Sequence, residues 1–264
     1  MRTIPFLQFI SRSSLALLLV CGSTTLSAQS LAPGSIRITP HRIVLQRSPK
    51  LAKEFPERKT AVVRYPTLRG LDNPQALKKI QTLLAVKNVF GMSLTEYRED
   101  AWLEEFDYKV GYNKNYLFDV TFSQSGMGAY PDSQFKHFII DLRTGNVITA
   151  ADAFDRRQLP KLAKTVDAKL QAEIREIISN LASDKEMDKD QRESLKSTLA
   201  ELKFKLENLY EFEISAKGIT FLFDAGFPHV IQALQPDGRY FFSLTALKPY
   251  IRSDGPLAPL VSGN

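Results

Sequence analysis

Apolar and polar positions alternate with period two early in the chain, with a helical period in its middle, and with period two again near its end. Ile36, Ile38, Ile43 and Leu45 sit either side of Pro40, which predicts a strand on a sheet edge or a strand with a break. Gln46 to Lys59 is charged and holds Pro49 and Pro56, which predicts a loop. Thr60 to Tyr65 predicts a second strand closed by Pro66. Asn73 and Pro74 then open a helix through Ile80, Leu83, Leu84 and on to Asn88, with Gly91 to end it. Ser93 to Leu103 predicts a second helix or a helical loop.

Period two returns at Phe106, Tyr108, Val110 and Tyr112, and again at Tyr116, Phe118, Val120 and Phe122, around the turn Asn113-Lys114-Asn115. A glycine-bearing loop, Ser125 to Pro131, leads to a strand from Phe135 to Leu142. Arg143 to Asn146 turns that strand into Val147-Ile148-Thr149. Aromatic and β-branched residues dominate these segments and suit a pleated, half-buried surface. Leu159, Leu162, Val166, Leu170, Ile174, Ile177 and Leu181 then recur at helical steps. After a charged turn at Ser183–Asp190, Leu195, Leu199, Leu202, Leu206 and Leu209 do the same. Hairpin strands follow around Lys217-Gly218, and a last strand at Arg239–Leu244. The fold class is α+β: an antiparallel sheet meander drawn from both halves of the chain, with a helical hairpin packed on one face. The domain reading is a leader at 1–28, a basic strand and linker at 29–58, one domain at 59–252, and a flexible tail at 253–264 with little to bury.

Composition adds an address. Arg2 and Arg12 precede the apolar core Leu15–Val20, and small and polar residues lead to Leu26-Ser27-Ala28-Gln29. This is the layout of a secretory signal peptide cleaved after Ala28, with Ser27 as the alternative. An uncleaved anchor, and a lipid-modified Cys21, are the competing readings; Val20 is not the small residue a lipidation motif places before its Cys. Cys21 is the single Cys of the 264 residues, so the mature chain needs no disulfide and has no thiol nucleophile. Cleavage removes Arg2 and Arg12 from the 35 basic residues and leaves 33 Lys and Arg against 29 Asp and Glu. The product is expected to be periplasmic or secreted, touching membrane only through its export signal.

Charge is uneven. From Ser35 to Arg69 nine basic residues face only Glu54 and Glu57. That surplus suits either a solvated strand face or an anionic envelope surface. Nucleic acid is not expected, because the basic residues interleave with Pro, Ile and Val and no recognition motif follows. The converse patch, Glu96, Glu99, Asp100, Glu104, Glu105 and Asp107, surrounds the sole Trp, Trp102.

Catalytic patterns do not emerge. There is no GxSxG elbow, no HExxH, no phosphate-binding glycine loop and no dinucleotide fingerprint. His41, His137 and His229 stand far apart, so neither a metal site nor a cofactor is expected. His137 lies in a strand, where a hydrogen-bonded structural role is expected. His229 follows Pro228 in a loop and is a binding candidate. A hydrolase using strand-end carboxylates is the alternative function.

Gly128-Ala129-Tyr130-Pro131, Phe138 to Gly145, Thr149 and Asp152-Ala153-Phe154 together resemble a pattern of a bacterial family of domains of unknown function. Tyr65-Pro66 with Asn73, and Lys217 to Phe221 with Pro228-His229, extend the resemblance over Val62 to Tyr250. The family supplies the extracytoplasmic, lysozyme-sensing half of RsiV-like anti-sigma factors and the N-terminal module of PdaC-like peptidoglycan deacetylases. Tyr130 replaces the family's loop His, and Met127 replaces the first glycine of its pair. The residues read here show neither a sigma-binding part nor a deacetylase domain. The resemblance therefore implies a non-catalytic recognition module for an envelope protein, such as a lysozyme-type hydrolase, or a peptidoglycan-type glycan. Tyr130 and Pro131 are the binding candidates on its shaped loop; Tyr130 packed over the sheet edge is the competing reading. Asp141, Thr144 and Gly145 suit a structural turn: the Asp carboxylate accepts backbone N–H groups and Gly permits a positive φ. Oligomeric state is not legible.

Overall fold

The structure is a computed structural model that describes residues 32–128, 130–183 and 187–262. The expected leader and its cleavage site lie outside the described residues. The chain runs β1 (Arg37–Gln46), α1 (Pro49–Glu54), β2 (Thr60–Arg69), α2 (Pro74–Leu83), α3 (Val86–Phe90), α4 (Leu94–Arg98), β3 (Leu103–Lys114), β4 (Leu117–Met127), β5 (Pro131–Asp141) and β6 (Asn146–Val147). It continues with α5 (Ala150–Ala153), α6 (Leu159–Ser183), α7 (Lys189–Glu201), β7 (Phe212–Ile214), β8 (Gly218–Leu222), β9 (Arg239–Ser243), α8 (Leu244–Leu247) and α9 (Ala258–Val261). The fold is α+β. No helix among the described residues is long and apolar enough to cross a membrane.

The strands make two sheets. β1 to β6 form a six-stranded sheet in chain order, and β7 to β9 form a separate three-stranded one. The C-terminal strands therefore do not join the first sheet: strand periodicity reports a wet face and a dry face but not which sheet owns them. All neighbours are antiparallel except β2 and β3, which run parallel over Val62–Val63 and Glu105–Phe106. α1 replaces the expected loop after β1. β2 continues through Pro66 to Arg69. Pro66 faces Pro40 across the ribbon, and the Arg47 N–H to Lys59 carbonyl bond sets a phase in which that pair exchanges no hydrogen bonds. Neither proline costs a ladder bond. β1 thus forms an edge strand of the six-stranded sheet.

One face of the six-stranded sheet is dry. Phe106, Phe118, Val120, Phe122, Phe138 and Ile140 pack there against Ile80, Val89 and Tyr97 from α2, α3 and α4, and against Leu84, which caps the end of α2. The opposite face is covered only at one end. There Tyr112, Leu117 and Ile139 join a second core built from α6, α7 and the small sheet, including Leu162, Val166, Leu170, Leu199 and Phe221. α7 ends at Glu201, short of the expected stripe. Gln171 of α6 donates to the Leu202 carbonyl at 2.9 Å, and Asp167 accepts the Phe204 N–H at 2.9 Å. These side chains hold Leu202–Phe204 in an extended path, and Leu206 and Leu209 fall in a 3₁₀ turn. The tail is also packed: Leu257 and Leu260 are buried in the second core, which corrects the expectation that it has little to bury.

Candidate functional site

The site begins with the β4–β5 hairpin. β4 does not stop at Ser125. It runs to Met127, which pairs with Pro131, so the expected loop shrinks to a tip at 128–130. The tip is braced from below. The Met127 N–H donates to the Trp102 carbonyl at 3.0 Å, and Arg58 Nη1 donates to the Met127 carbonyl at 2.5 Å. Gly126 is needed for this fit, since a Cβ there would lie 2.0 Å from the Trp102 carbonyl oxygen. Tyr130 stands on this braced tip with 73% of its surface exposed. Pro131, also exposed, follows it as the first residue of β5.

Below the tip spreads the open part of the sheet face. Cross-strand pairs Glu105–Ser125, Asp107–Ser123, Lys109–Thr121, Ser123–Phe135 and Thr121–His137 line it. Arg64 on β2 donates to both Glu105 and Asp107, reaching Asp107 at 3.0 Å, and the Glu105 hydrogen bond raises its pKa above the ordinary guanidinium value. These two strand-end carboxylates are therefore bound to a cation and not to each other. Phe135 is 71% exposed in the midst of these polar residues.

The inner limit of the open face is polar and buried. Asp119 is buried and accepts the Ile214 N–H of β7 at 2.6 Å, while its other oxygen lies 3.0 Å from His137 Nε2. One carboxylate thus joins β4, β5 and the small sheet. Sequence reading missed Asp119, although an Asp between Phe118 and Val120 in an apolar strand signals a satisfied buried acid. On the dry side, the Tyr97 hydroxyl donates to Gln124 at 2.6 Å, and burial pushes the Tyr97 pKa up to about 12.

The remaining candidates divide by place. Asp141, Thr144 and Gly145 form the turn at the far end of β5 from Tyr130. The Arg143 N–H donates to Asp141 Oδ1 at 3.0 Å and the Gly145 N–H to the Asp141 carbonyl at 2.7 Å. Gly145 has φ +71°, and a Cβ there would lie 2.8 Å from the Ala76 carbonyl oxygen of α2. Asn73 caps α2 and donates to the Arg143 carbonyl at 3.1 Å, so the turn is stitched to that helix. His229 begins a 3₁₀ turn between β8 and β9 of the other sheet, and its side chain lies outside the described residues. The structure does not bring these groups to one place. Among the described residues no three His, Cys, Asp or Glu side chains gather closely enough to hold a metal ion.

Two solved structures share this architecture over most of the chain. One is a DUF3298 family member from Bacteroides fragilis, with TM-score 0.57 and 11% identity, covering 89% of this chain and all of that one. The other is a DUF3298 family protein from Pseudomonas aeruginosa, with TM-score 0.51 and 14% identity, covering 83% of this chain and 95% of that one. The chain has the DUF3298 fold. No family model matches the sequence, and no curated protein matches it. Within the DUF3298 fold, most of the motif residues read from the sequence are architectural. Thr149 and Asp152 form a capping box on α5, and Phe154 is buried in the second core. Gly218 lies against the Phe242 carbonyl, where a Cβ would meet the oxygen at 2.0 Å. Tyr130 and Pro131 are both exposed, as are Arg143, Thr144 and Lys217 at the other turns.

Proposed function

We propose that the protein is an extracytoplasmic, non-catalytic recognition module. It takes a lysozyme-type hydrolase or a peptidoglycan-type glycan at the tip of the β4–β5 hairpin. One observation carries this reading: an exposed aromatic, Tyr130, on a tip braced by Trp102 and Arg58. A tyrosine side chain has few rotatable bonds and so loses little conformational freedom on binding, which is what an interface anchor needs. The adjoining open face offers hydroxyls, ion-paired carboxylates and Phe135, a mixture suited to a polar partner. The family resemblance supports the envelope setting, and the apolar core at Leu15–Val20 supports export.

Retention of the mature protein on immobilised lysozyme-type hydrolases and on purified peptidoglycan is the direct test. Binding to one of the two names the partner class, and binding to neither ends the reading. For export, mass spectrometry of the cellular protein is expected to find an N-terminus near Gln29. An intact Met1 or a lipidated Cys21 would overturn that expectation.

A further inference from the structure

β5 has one edge covered and one bare. Its inner edge pairs with β4 along its whole length. On the outer edge, Ile140 and Asp141 pair with β6, and the Ile148 N–H donates to the Ile139 carbonyl at 2.7 Å. Among the described residues no strand lies outside Pro131 to His137, and Pro131 to Lys136 are all exposed. The Leu142 N–H to Tyr116 carbonyl bond sets the phase of the β4–β5 ladder. Even-numbered β5 residues bond to β4, and odd-numbered ones turn their N–H and C=O outward. The outward groups are thus those of Ser133, Phe135 and His137, plus the Pro131 carbonyl. The Ser133 N–H is held only by its neighbour Asp132, at 2.8 Å.

The residues of this bare stretch, Pro-Asp-Ser-Gln-Phe-Lys-His, have a second property. Gln134 is their midpoint, and Asp132 and Lys136 stand two residues to either side of it on one face. An antiparallel copy centred on Gln134 sets Asp132 opposite Lys136 of the second copy, and the reverse at the other end. The same register sets Ser133 opposite Phe135, both with outward backbone groups, so the hydrogen-bonding phase is correct. At the ends, the His137 N–H meets the Pro131 carbonyl of the second copy; the return bond is absent because proline has no N–H, so each end of the ladder closes with a single bond. The bare stretch is bounded by the hairpin tip before Pro131 and by the β6-paired segment after His137, both limits equally far from Gln134. Phe135 would lie diagonal to its symmetry mate and bury ring surface that is now wet.

We propose that β5 is a self-association edge. Two copies pair β5 against β5, antiparallel about Gln134, and join their six-stranded sheets into one. The symmetry is isologous, so each favourable charge pair occurs twice. The proposal stands apart from the recognition role of Tyr130.

Sedimentation equilibrium over a wide concentration range tests it. The protein is expected to show a reversible monomer–dimer equilibrium. Asp132→Lys places like charges opposite at both ends and is expected to raise the dissociation constant roughly 10- to 100-fold. Lys136→Asp is expected to do the same. The double variant D132K/K136D restores opposite charges and is expected to return to near the original affinity. Phe135→Pro removes an outward N–H without touching the β4 ladder, so the monomer keeps its circular dichroism while the dimer is lost. A protein that stays monomeric throughout overturns the proposal and leaves the edge to an extended segment of another protein. A double variant no better than either single one overturns it equally.

Discussion

Tyr130 and Asp119 sit at opposite limits of one sheet face and make opposite demands on the fold. Tyr130 is exposed, so Tyr130→Ala is expected to leave the melting temperature nearly unchanged while weakening partner binding by ~1–3 kcal/mol. Calorimetry and affinity measured on the same variant check this; a lowered melting temperature with unchanged affinity would return Tyr130 to a packing role. Asp119 is buried with two partners. Asp119→Ala leaves the Ile214 N–H and His137 without their acceptor, and is expected to cost about 2–4 kcal/mol in urea denaturation. The sequence pattern makes Tyr130 visible because a Gly-rich stretch with an aromatic and a Pro stands out between strands. It hides Asp119, because a single acid in an apolar run has no partner within reach along the chain. Its partners lie 18 and 95 residues away.

At the scale of elements, legibility follows the strength of the periodic signal. α6 is readable because Leu162, Val166, Leu170 and Ile174 form one unbroken buried stripe. The outer half of β4 is not, since Ser123 and Ser125 face the open side and Gln124 takes a core position by bonding to Tyr97. Without apolar side chains on either face, a strand reads as a loop. The end of α7 misleads for the converse reason: leucine spacing continues after polar side chains of α6 have taken over the backbone groups. α5 shows what a short element depends on. Its capping box holds the Asp152 pKa below the ordinary carboxylate value, chiefly through the Thr149 side chain and then its backbone. A depressed carboxylate stabilises the fold fully above its unfolded pKa near 4 and loses that contribution as pH falls through the lower folded value. Asp152→Asn is therefore expected to lower the urea midpoint at pH 7 but to narrow its gap to the parent protein on acidification below about pH 4. A gap that stays constant across that range would remove the capping carboxylate as its cause.

The whole molecule is held by cores that share the six-stranded sheet as a wall. Tyr112, Leu117 and Ile139 project from that sheet into the second core, and Phe154 pairs its backbone with Ile251 near the C-terminus. A fragment ending at Asp155 would leave those side chains and Asp119 uncovered. It is expected to fail to fold alone, and the intact protein to melt in a single transition with equal calorimetric and van't Hoff enthalpies. A fragment with dispersed amide resonances would contradict this. The sheet count is where sequence reading fell short at this scale. Alternation in Phe212–Ile214 and Gly218–Leu222 identifies strands, yet the choice between extending a sheet and starting another depends on which edge is free in space.

The side-chain amide of Asn113 has its own consequence. It donates to the Ile36 carbonyl at 2.8 Å and accepts the Ile36 N–H at 2.9 Å, doing a strand's work across the gap where β2 leaves β3. That clip closes over 77 residues, and the Asp119 to Ile214 bond closes over 95. Closing such long loops early is entropically slow, so a fold built on them assembles late relative to chains rich in local contacts. A newly made chain consequently spends longer without tertiary structure. Under the export proposed above, that delay would be an advantage, because only a chain that has not yet folded fits a narrow translocation channel.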